Sequence, residues 1–153
     1  MARSDFRFST TKRVRFSEID AQAVLFNSRY LEYFDLGGVE YWRAAGIFGD
    51  GGPLTAPEMH VAKAVVEFKA PILMDEQIDI CVRCARIGTS SLTLLFELHG
   101  YGNDDLRATG EEIHVHVTRA RGRPSPLPAD LISKFETYEG RTLVHAALRN
   151  PGN

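Results

Sequence analysis

A carboxylate beside the start of a predicted helix is the feature of this sequence best suited to chemistry. Asp20 lies in a loop that leads to Asn27 and Ser28, where the helix is predicted to begin. The first turn of a helix offers unpaired N–H groups and the positive end of the helix dipole, and both stabilise an oxyanion. A carboxylate facing that turn can attack a carbonyl carbon or deprotonate a water molecule that attacks it. On spacing alone, the alternative that Asp20 caps a turn or pairs with a nearby arginine stays open.

Two other groups could bind a metal ion or take part in redox chemistry. His114 and His116 share one face of a predicted strand with Glu112, but the apolar residues between them predict that this face is solvated or lies in an interface. Cys81 and Cys84 form a Cys-x-x-Cys pair without a second such pair in the sequence. We therefore interpret them as two strand cysteines in a reducing compartment, and we predict no metal site.

Motifs of the common serine and cofactor-dependent enzymes are missing from the sequence. It contains no Gly-x-Ser-x-Gly elbow and no His-Glu-x-x-His pair. It also contains neither a Gly-x-x-x-x-Gly-Lys phosphate loop nor a Gly-x-Gly-x-x-Gly dinucleotide turn. We therefore predict an activity that needs no cofactor.

The elements that would position Asp20 form an α+β pattern. One strand is followed by a loop and a long helix, and the strands after it are joined by short turns, which favours antiparallel pairing. The predicted strands are Phe6–Phe16, His60–Ala70, Gln77–Ile87, Ser90–Tyr101 and Leu106–Arg119, and the predicted helices are Ser28–Gly46 and the short Pro128–Phe135.

The long helix is predicted to be enclosed on several sides. Its aromatic residues are Tyr30, Tyr33, Phe34, Tyr41 and Trp42. Gly37 and Gly38 each cost about 1 kcal/mol relative to Ala in a helix interior, so keeping both indicates a sheet or another backbone close to them. Asn27 or Ser28 is predicted to cap the start of the helix, and Gly46 is predicted to end it in the left-handed conformation.

Length and composition indicate an ordinary globular protein. The 153 residues are predicted to form a single domain, spanning 1–153. With 44% hydrophobic and 25% charged residues and a net charge of −2, the chain has no broad basic face for nucleic acid. No apolar run approaches the roughly 18–20 residues of a membrane span, and the N-terminus has no signal-peptide core. We expect a cytoplasmic protein without nucleic-acid or membrane partners.

The stretch from Arg13 to Arg43, RVRFSEIDAQAVLFNSRYLEYFDLGGVEYWR, resembles the opening motif of the 4-hydroxybenzoyl-CoA thioesterase branch of the hotdog-fold proteins. In that family an acid follows the first strand and a Tyr ten residues later begins the central helix; Asp20 and Tyr30 stand at those places. Asn27 matches an Asn frequent before that helix in one group of members. Looser support comes from Phe68-x-x-Pro71, Gly88-x-Ser90 and Pro126-x-Pro128.

The resemblance implies a hotdog fold, in which a five-stranded antiparallel sheet wraps around a long central helix, with a core at residues 8–135 and a tail at 136–153. It implies homodimers, often assembled into homotetramers, with active sites at the subunit interface. It also implies hydrolysis of an acyl-CoA or acyl-carrier-protein thioester without metal or cofactor. Asp20 would be the nucleophile or general base, and a backbone N–H near Asn27 to Tyr30 would be the oxyanion donor.

The remaining candidates concern the two ends of such a substrate. Asn27 would orient water or the acyl group. The candidates for an acyl pocket are Val24, Leu25, Phe26, Tyr30 and Phe34. The phosphate charges of a CoA nucleotide call for Arg or Lys partners, for which the candidates are Lys63, Arg86, Arg119, Arg121 and Arg123. His60 and Ser90 are further candidates for substrate binding. Arg119, Arg121 and Arg123 alternate at the end of a predicted strand. The alternative interpretation of these three arginines is an ordinary solvated strand end.

Two departures from the family motif leave other functions open. Ala23 stands where the family often has Gly, and Val24 stands where many members have His. A side chain at position 23 is expected to alter the loop, since only Gly enters the positive-φ region freely. A hotdog-fold hydratase or dehydratase is one alternative, disfavoured because no His lies between Asp20 and His60. A non-catalytic protein that binds an acyl ligand is another.

Overall fold

A computed structural model describes residues 2–118 and 122–144 and contains one five-stranded sheet. The strands are β1 (Phe8–Arg13), β2 (Met59–Phe68), β3 (Gln77–Ile87), β4 (Ser91–Gly100) and β5 (Leu106–His116). Their order in the sheet is β1-β3-β4-β5-β2, which leaves β1 and β2 at the edges. In the antiparallel β1–β3 pair, Phe8 lies opposite Val82 and Arg13 lies opposite Gln77. The predicted five-stranded antiparallel sheet with a long helix packed on it is confirmed.

The two helices are α1 (Tyr30–Ala44) and α2 (Ala129–Glu139). A 3₁₀ turn over Asn27–Arg29 leads into α1, and its cap position is Phe26, which makes no side-chain capping bond. The predicted capping by Asn27 or Ser28 is therefore wrong. The end of the helix is as predicted, because Gly46 has a φ of 80° and the amide of Ile47 donates to the carbonyl oxygen of Trp42 at 3.0 Å.

The chain divides into two compact units, each built from separate segments. The first contains the residues up to Tyr41 together with Val65–Arg83 and Leu95–Gly110. The second contains Trp42–Ala64, Cys84–Leu94 and the described residues from Glu111 onwards.

In the first unit, α1 packs closely against β3 and β4. A Cβ atom on Gly37 would collide with the side chain of Ile80, whereas nothing lies within 4 Å of the same position on Gly38. The predicted close approach therefore holds for Gly37 only. The ring of Phe34 stacks on Phe96 with 4.6 Å between centroids, and Gly110 makes room for it because it has no Cβ.

In the second unit, Trp42 packs against Phe135 of α2, with 5.6 Å between ring centroids, and against His114 of β5, at 6.0 Å. Glu112 is buried and lies 2.9 Å from Nε2 of His114, so these two residues occupy the packed face of β5. Of the two settings predicted for this face, the solvated one is wrong, and the interface one stays a prediction. Alternate residues of a strand face the same side, so Glu112 and His114 lie on the side of Ala108, which is buried earlier in β5. A single small alanine does not mark that side as apolar in the sequence.

The two cysteines are buried residues of β3, as predicted, and neither forms a disulfide. Burial raises the pKa of the Cys81 thiol to about 11, which makes it unreactive at neutral pH. Among the described residues, no group of three or more His, Cys, Asp or Glu side chains is arranged to hold a metal ion. No helix in the described ranges is both long and apolar enough to cross a membrane.

Candidate active site

The loop that carries Asp20 is a tight hairpin closed by backbone hydrogen bonds. The amide of Asp20 donates to the carbonyl oxygen of Val24 at 2.9 Å, and the amide of Ala23 donates back to Asp20 at 3.0 Å. Ile19 and Leu25 pair across the base of the hairpin as an antiparallel bridge. The carboxylate is therefore held on a short, well-bonded turn in the first unit.

Ala23 adopts the left-handed conformation, with a φ of 61°. The expectation that a side chain at this position alters the loop stays a prediction. The conformation costs a non-glycine residue about 1–2 kcal/mol, and neighbouring bonds must offset this cost. One of them comes from Met74, whose amide donates to the carbonyl oxygen of Ala23 at 3.2 Å.

The carboxylate of Asp20 is half-buried and only partly satisfied. Its Oδ1 accepts one hydrogen bond, from the amide of Gln22 at 2.8 Å, so the turn-capping role considered from the sequence is real. The Oδ2 atom has no hydrogen bond to any residue that the structure describes. Arg13 and Arg29 form ion pairs with other carboxylates, those of Asp75 and Glu32. One oxygen of Asp20 thus remains available to a ligand.

The start of the helical segment follows the hairpin directly. The amide of Phe26 donates to the carbonyl oxygen of Glu18 at 2.9 Å, which ties the residue before the helical turn to the strand side of the hairpin. Asn27 and Ser28 are exposed, and no side chain caps the turn. The amide of Arg29 donates to the carbonyl oxygen of Phe26 at 2.9 Å, and no side-chain bond occupies the amides of Asn27 and Ser28, as an oxyanion site requires.

A second carboxylate, that of Glu18, lies two residues before Asp20 and was not predicted as a functional residue. The buried Glu18 accepts hydrogen bonds from Nζ of Lys12 at 2.7 Å, from the hydroxyl of Tyr33 at 2.9 Å and from the amide of Arg15 at 2.8 Å. Burial raises the pKa of Glu18, but these three donors outweigh it and hold the pKa below its usual value. All three donors bond to Oε1, so Glu18 is a buried anion held at one oxygen. Its only sequence signal was an acid two residues before Asp20.

The candidates for an acyl pocket lie in the first unit but differ in exposure. Leu25 and Tyr30 are buried, Val24 is half-buried, and Phe26 is 45% exposed. Tyr30 contacts Phe68 edge to face with 4.8 Å between ring centroids. Burial raises the pKa of Tyr30, the charge of Arg107 opposes this rise, and the charge of Asp20 adds to it. Phe34, stacked on Phe96, is completely buried and belongs to the core.

The candidates for the nucleotide end lie in the second unit. The side chains of His60, Lys63 and Arg86 are exposed, and that of Ser90 is half-buried. His60 lies 3.3 Å from the carboxylate of Glu58. Two of the arginine candidates, at positions 119 and 121, lie outside the described residues.

A long helix packed on a five-stranded antiparallel sheet is the architecture of the hotdog fold. A family model described as the thioesterase-like superfamily matches residues 14–135, and the chain belongs to that superfamily. The prediction of a thioester hydrolase is confirmed by this membership and by structures named as thioesterases.

Solved structures share the fold over almost the whole chain. A thioesterase from Thermus thermophilus, in complex with coenzyme A and zinc, is 27% identical with a TM-score of 0.78, covering 91% of this chain and 98% of that chain. A thioesterase-superfamily protein from a Jannaschia species is 25% identical with a TM-score of 0.78, covering 92% and 87% respectively. A 1,4-dihydroxy-2-naphthoyl-CoA thioesterase from Synechocystis, at 13% identity and a TM-score of 0.74 over 84% and 94%, shares the fold. No curated protein sequence matches the chain.

Proposed function

We propose that this protein hydrolyses acyl-CoA thioesters to a free acid and CoA, with Asp20 as the catalytic carboxylate. The observation that carries the proposal is the second oxygen of Asp20, which no described residue occupies, on a hairpin that leads straight to an uncapped helical turn. Support for CoA as the thiol carrier comes from the Thermus thermophilus thioesterase, which binds coenzyme A and aligns over 98% of its length.

In the proposed reaction Asp20 attacks the carbonyl carbon or removes a proton from the water molecule that attacks it. The carbonyl oxygen becomes an oxyanion and accepts hydrogen bonds from backbone amides in the region from Asn27 to Tyr30. The carbon–sulfur bond then breaks, and the thiolate of CoA departs and takes a proton. When Asp20 is the nucleophile, this step leaves a mixed anhydride between Asp20 and the acyl group, and water hydrolyses it to the free acid and the restored carboxylate. When Asp20 is the base, the attacking water supplies the new oxygen of the acid and its proton passes to the thiolate. Asn27, exposed beside the turn, orients the water or the acyl group.

The acyl group is proposed to lie against Val24, Leu25, Phe26 and Tyr30, which surround the hairpin and the helical start. The nucleotide is proposed to contact basic side chains among His60, Lys63, Arg86 and the two arginines at 119 and 121. A carrier-protein thioester remains the second substrate to test, because a pantetheine arm presents the same thioester without the nucleotide.

We also propose that the active protein is a homodimer or a homotetramer. Every residue of the edge strand β2 except Met59 and Val66 is exposed, and Val61, Val65 and Phe68 are the large apolar ones among them. A long apolar edge strand exposes unpaired backbone groups, and pairing with a second copy satisfies them.

The decisive experiment compares Asp20→Asn with wild-type protein on a panel of aromatic, branched and straight-chain acyl-CoAs. Loss of a catalytic acid–base group is expected to lower kcat by about 10²–10⁴-fold on the best substrate. The amide keeps the size of the side chain and an oxygen for Gln22, so the hairpin is expected to persist. Release of CoA is measured with a thiol-reactive dye.

The matched control is Asp35→Asn, which removes an exposed carboxylate from α1. This variant is expected to keep kcat within about twofold, since isolated surface charges contribute little. A loss of less than about tenfold in Asp20→Asn would remove Asp20 from the catalytic role. Absorbance of an enoyl-CoA in the same panel tests the hydratase alternative, and tight binding of intact esters over hours would favour the non-catalytic one.

A further inference from the structure

A nearly buried arginine holds the turn against which the Asp20 hairpin packs. The side chain of Arg107 on β5 is 13% exposed, and its guanidinium donates to both carboxylate oxygens of Glu76 at 2.8 and 3.1 Å. It also donates to Asp105 at 2.7 and 3.0 Å and to the carbonyl oxygen of Pro71 at 2.9 Å. Five hydrogen bonds from one side chain thus converge on the turn at residues 71–76 and on the start of β5.

The same turn carries the hairpin through backbone bonds. The carboxylate of Glu76 accepts a hydrogen bond from the amide of Leu73 at 2.7 Å, and this bond closes the turn at residues 71–76. Leu73 pairs with Val24 as an antiparallel bridge, and the amide of Leu25 donates to Ile72 at 2.7 Å. Every step from the guanidinium to the hairpin is therefore a direct hydrogen bond or a backbone pairing within the first unit.

We propose that Arg107 is a positioning residue for Asp20: through Glu76 and the turn at 71–76, it holds the hairpin in the geometry needed for attack on the thioester. This inference rests on the proposed function of Asp20. It assigns Arg107 no contact with the substrate.

The chemistry of the side chain fits this role. A guanidinium presents several donors in a rigid plane and can bind a carboxylate with two parallel bonds, whereas an ammonium provides a single point of charge. The hydrogen bond from Arg107 holds the pKa of Glu76 below its usual value, so the pair stays ionised at neutral pH. A displacement of about 1 Å at a reacting group can cost about 10²-fold in rate.

The test measures kcat and KM for Arg107→Gln and Arg107→Lys, each in the Asp20 and the Asp20→Asn backgrounds. Arg107→Gln is expected to lower kcat about 10- to 100-fold while KM changes by less than about threefold. Arg107→Lys is expected to recover part of that loss. In the Asp20→Asn background, Arg107→Gln is expected to cause no further loss, because it acts through the carboxylate that is already missing.

Two further measurements separate positioning from general destabilisation. Arg3→Gln removes another part-buried arginine, which pairs with Asp79 at 2.6 Å and is not bonded to the 71–76 turn. It is expected to leave kcat within about twofold. Hydrogen exchange at the amides of Asp20 and Leu25 is expected to accelerate in Arg107→Gln and to stay unchanged in Arg3→Gln. If Arg107→Gln does not fold, Glu76→Gln breaks the same link from the other side and carries the same expectations.

The proposal is overturned if Arg107→Gln leaves kcat unchanged, or if it lowers activity equally with and without the carboxylate at position 20. It is also overturned if exchange at Leu25 is the same in Arg107→Gln and wild type. A wild-type protein without thioesterase activity refutes the proposed function instead, and the exchange measurement then decides by itself whether Arg107 holds the hairpin.

Discussion

At the scale of single residues, two carboxylates two positions apart have opposite surroundings. Glu18 is buried and accepts three hydrogen bonds, whereas Asp20 is half-buried and accepts one. Burial without partners would disfavour the charge on Glu18, but its donors reverse that effect and stabilise a fixed anion. We propose Asp20, the more exposed of the two and bonded once, as the carboxylate that attacks or transfers a proton.

The environment of Glu18 predicts a specific dependence of stability on pH. Its pKa in the folded chain lies below its usual value, so the unfolded chain binds more protons between the two pKa values. The contribution of Glu18 to the free energy of unfolding is complete above about pH 4.5 and is lost as pH falls through the folded pKa. We expect Glu18→Gln to reduce this dependence and to lower stability at neutral pH by about 1–3 kcal/mol.

Urea unfolding of wild type and Glu18→Gln between about pH 3 and pH 7 measures this effect. Glu32→Gln is the matched control, because Glu32 is 57% exposed and pairs only with Arg29 on the surface of the helix. Its effect is expected to stay below about 0.5 kcal/mol. Equal losses in the two variants would show that Glu18 has no special role beneath the hairpin.

At the scale of elements, the contacts of α1 with the rest of the first unit differ from one position of the helix to the next. Its aromatic residues Tyr33, Phe34 and Tyr41 have no exposed surface, which confirms the prediction of an enclosed helix. The two adjacent glycines, however, have different surroundings. Gly37 lies against the side chain of Ile80 on β3, while the Cβ position of Gly38 faces no atom within 4 Å.

Alanine substitutions at these two positions are expected to change stability in opposite directions. Gly37→Ala would force a methyl group into Ile80 and is expected to destabilise the protein by about 1–3 kcal/mol. Gly38→Ala is expected to stabilise it by up to about 1 kcal/mol, since alanine loses less backbone freedom in a helix. Thermal unfolding measures both, with Gly38→Ala raising Tm by about 2–4 °C. Shifts of the same sign in the two variants would contradict this account of the helix.

At the scale of the whole molecule, the exposed apolar residues of the edge strand β2 have no covering partner among the described residues of a single chain. Proteins commonly protect long apolar edges, whereas Val61 and Val65 are exposed on this one. We propose that assembly of copies along this edge covers them. The expectation of one domain spanning 1–153 likewise remains a prediction, to be tested by the cooperativity of unfolding.

We expect sedimentation to show a dimer or a tetramer, and Val61→Lys to shift the protein towards the monomer because it places a charge on the proposed pairing edge. Thioesterase activity is expected to fall with the assembly, since the resemblance places the active sites at subunit interfaces. Leu54→Lys is the control, because Leu54 is 90% exposed in a 3₁₀ turn outside the sheet. A wild-type monomer with full activity would contradict the proposed assembly.

The sequence by itself was sufficient for the elements and for the family. Alternating and helical patterns predicted five strands and the long helix, and the spacing of Asp20 and Tyr30 carried the resemblance to the thioesterases. Patterns of this kind are local, because each reports which positions of one segment can be buried together. They could not decide the buried face of β5, where His114 packs against Trp42 and Glu112 is buried beside it, although the residue between them is more apolar.

Only the tertiary structure decided how the hairpin is held. Glu18 meets Lys12 and Tyr33 from other elements, and Arg107 meets Glu76 although 31 residues separate them in the chain. Ala23 keeps a left-handed backbone because Met74 and its neighbours bind the hairpin from outside. These partners are brought together by the folded sheet, and a buried charge is stable only where its partners meet it in space, which spacing along one sequence does not reveal.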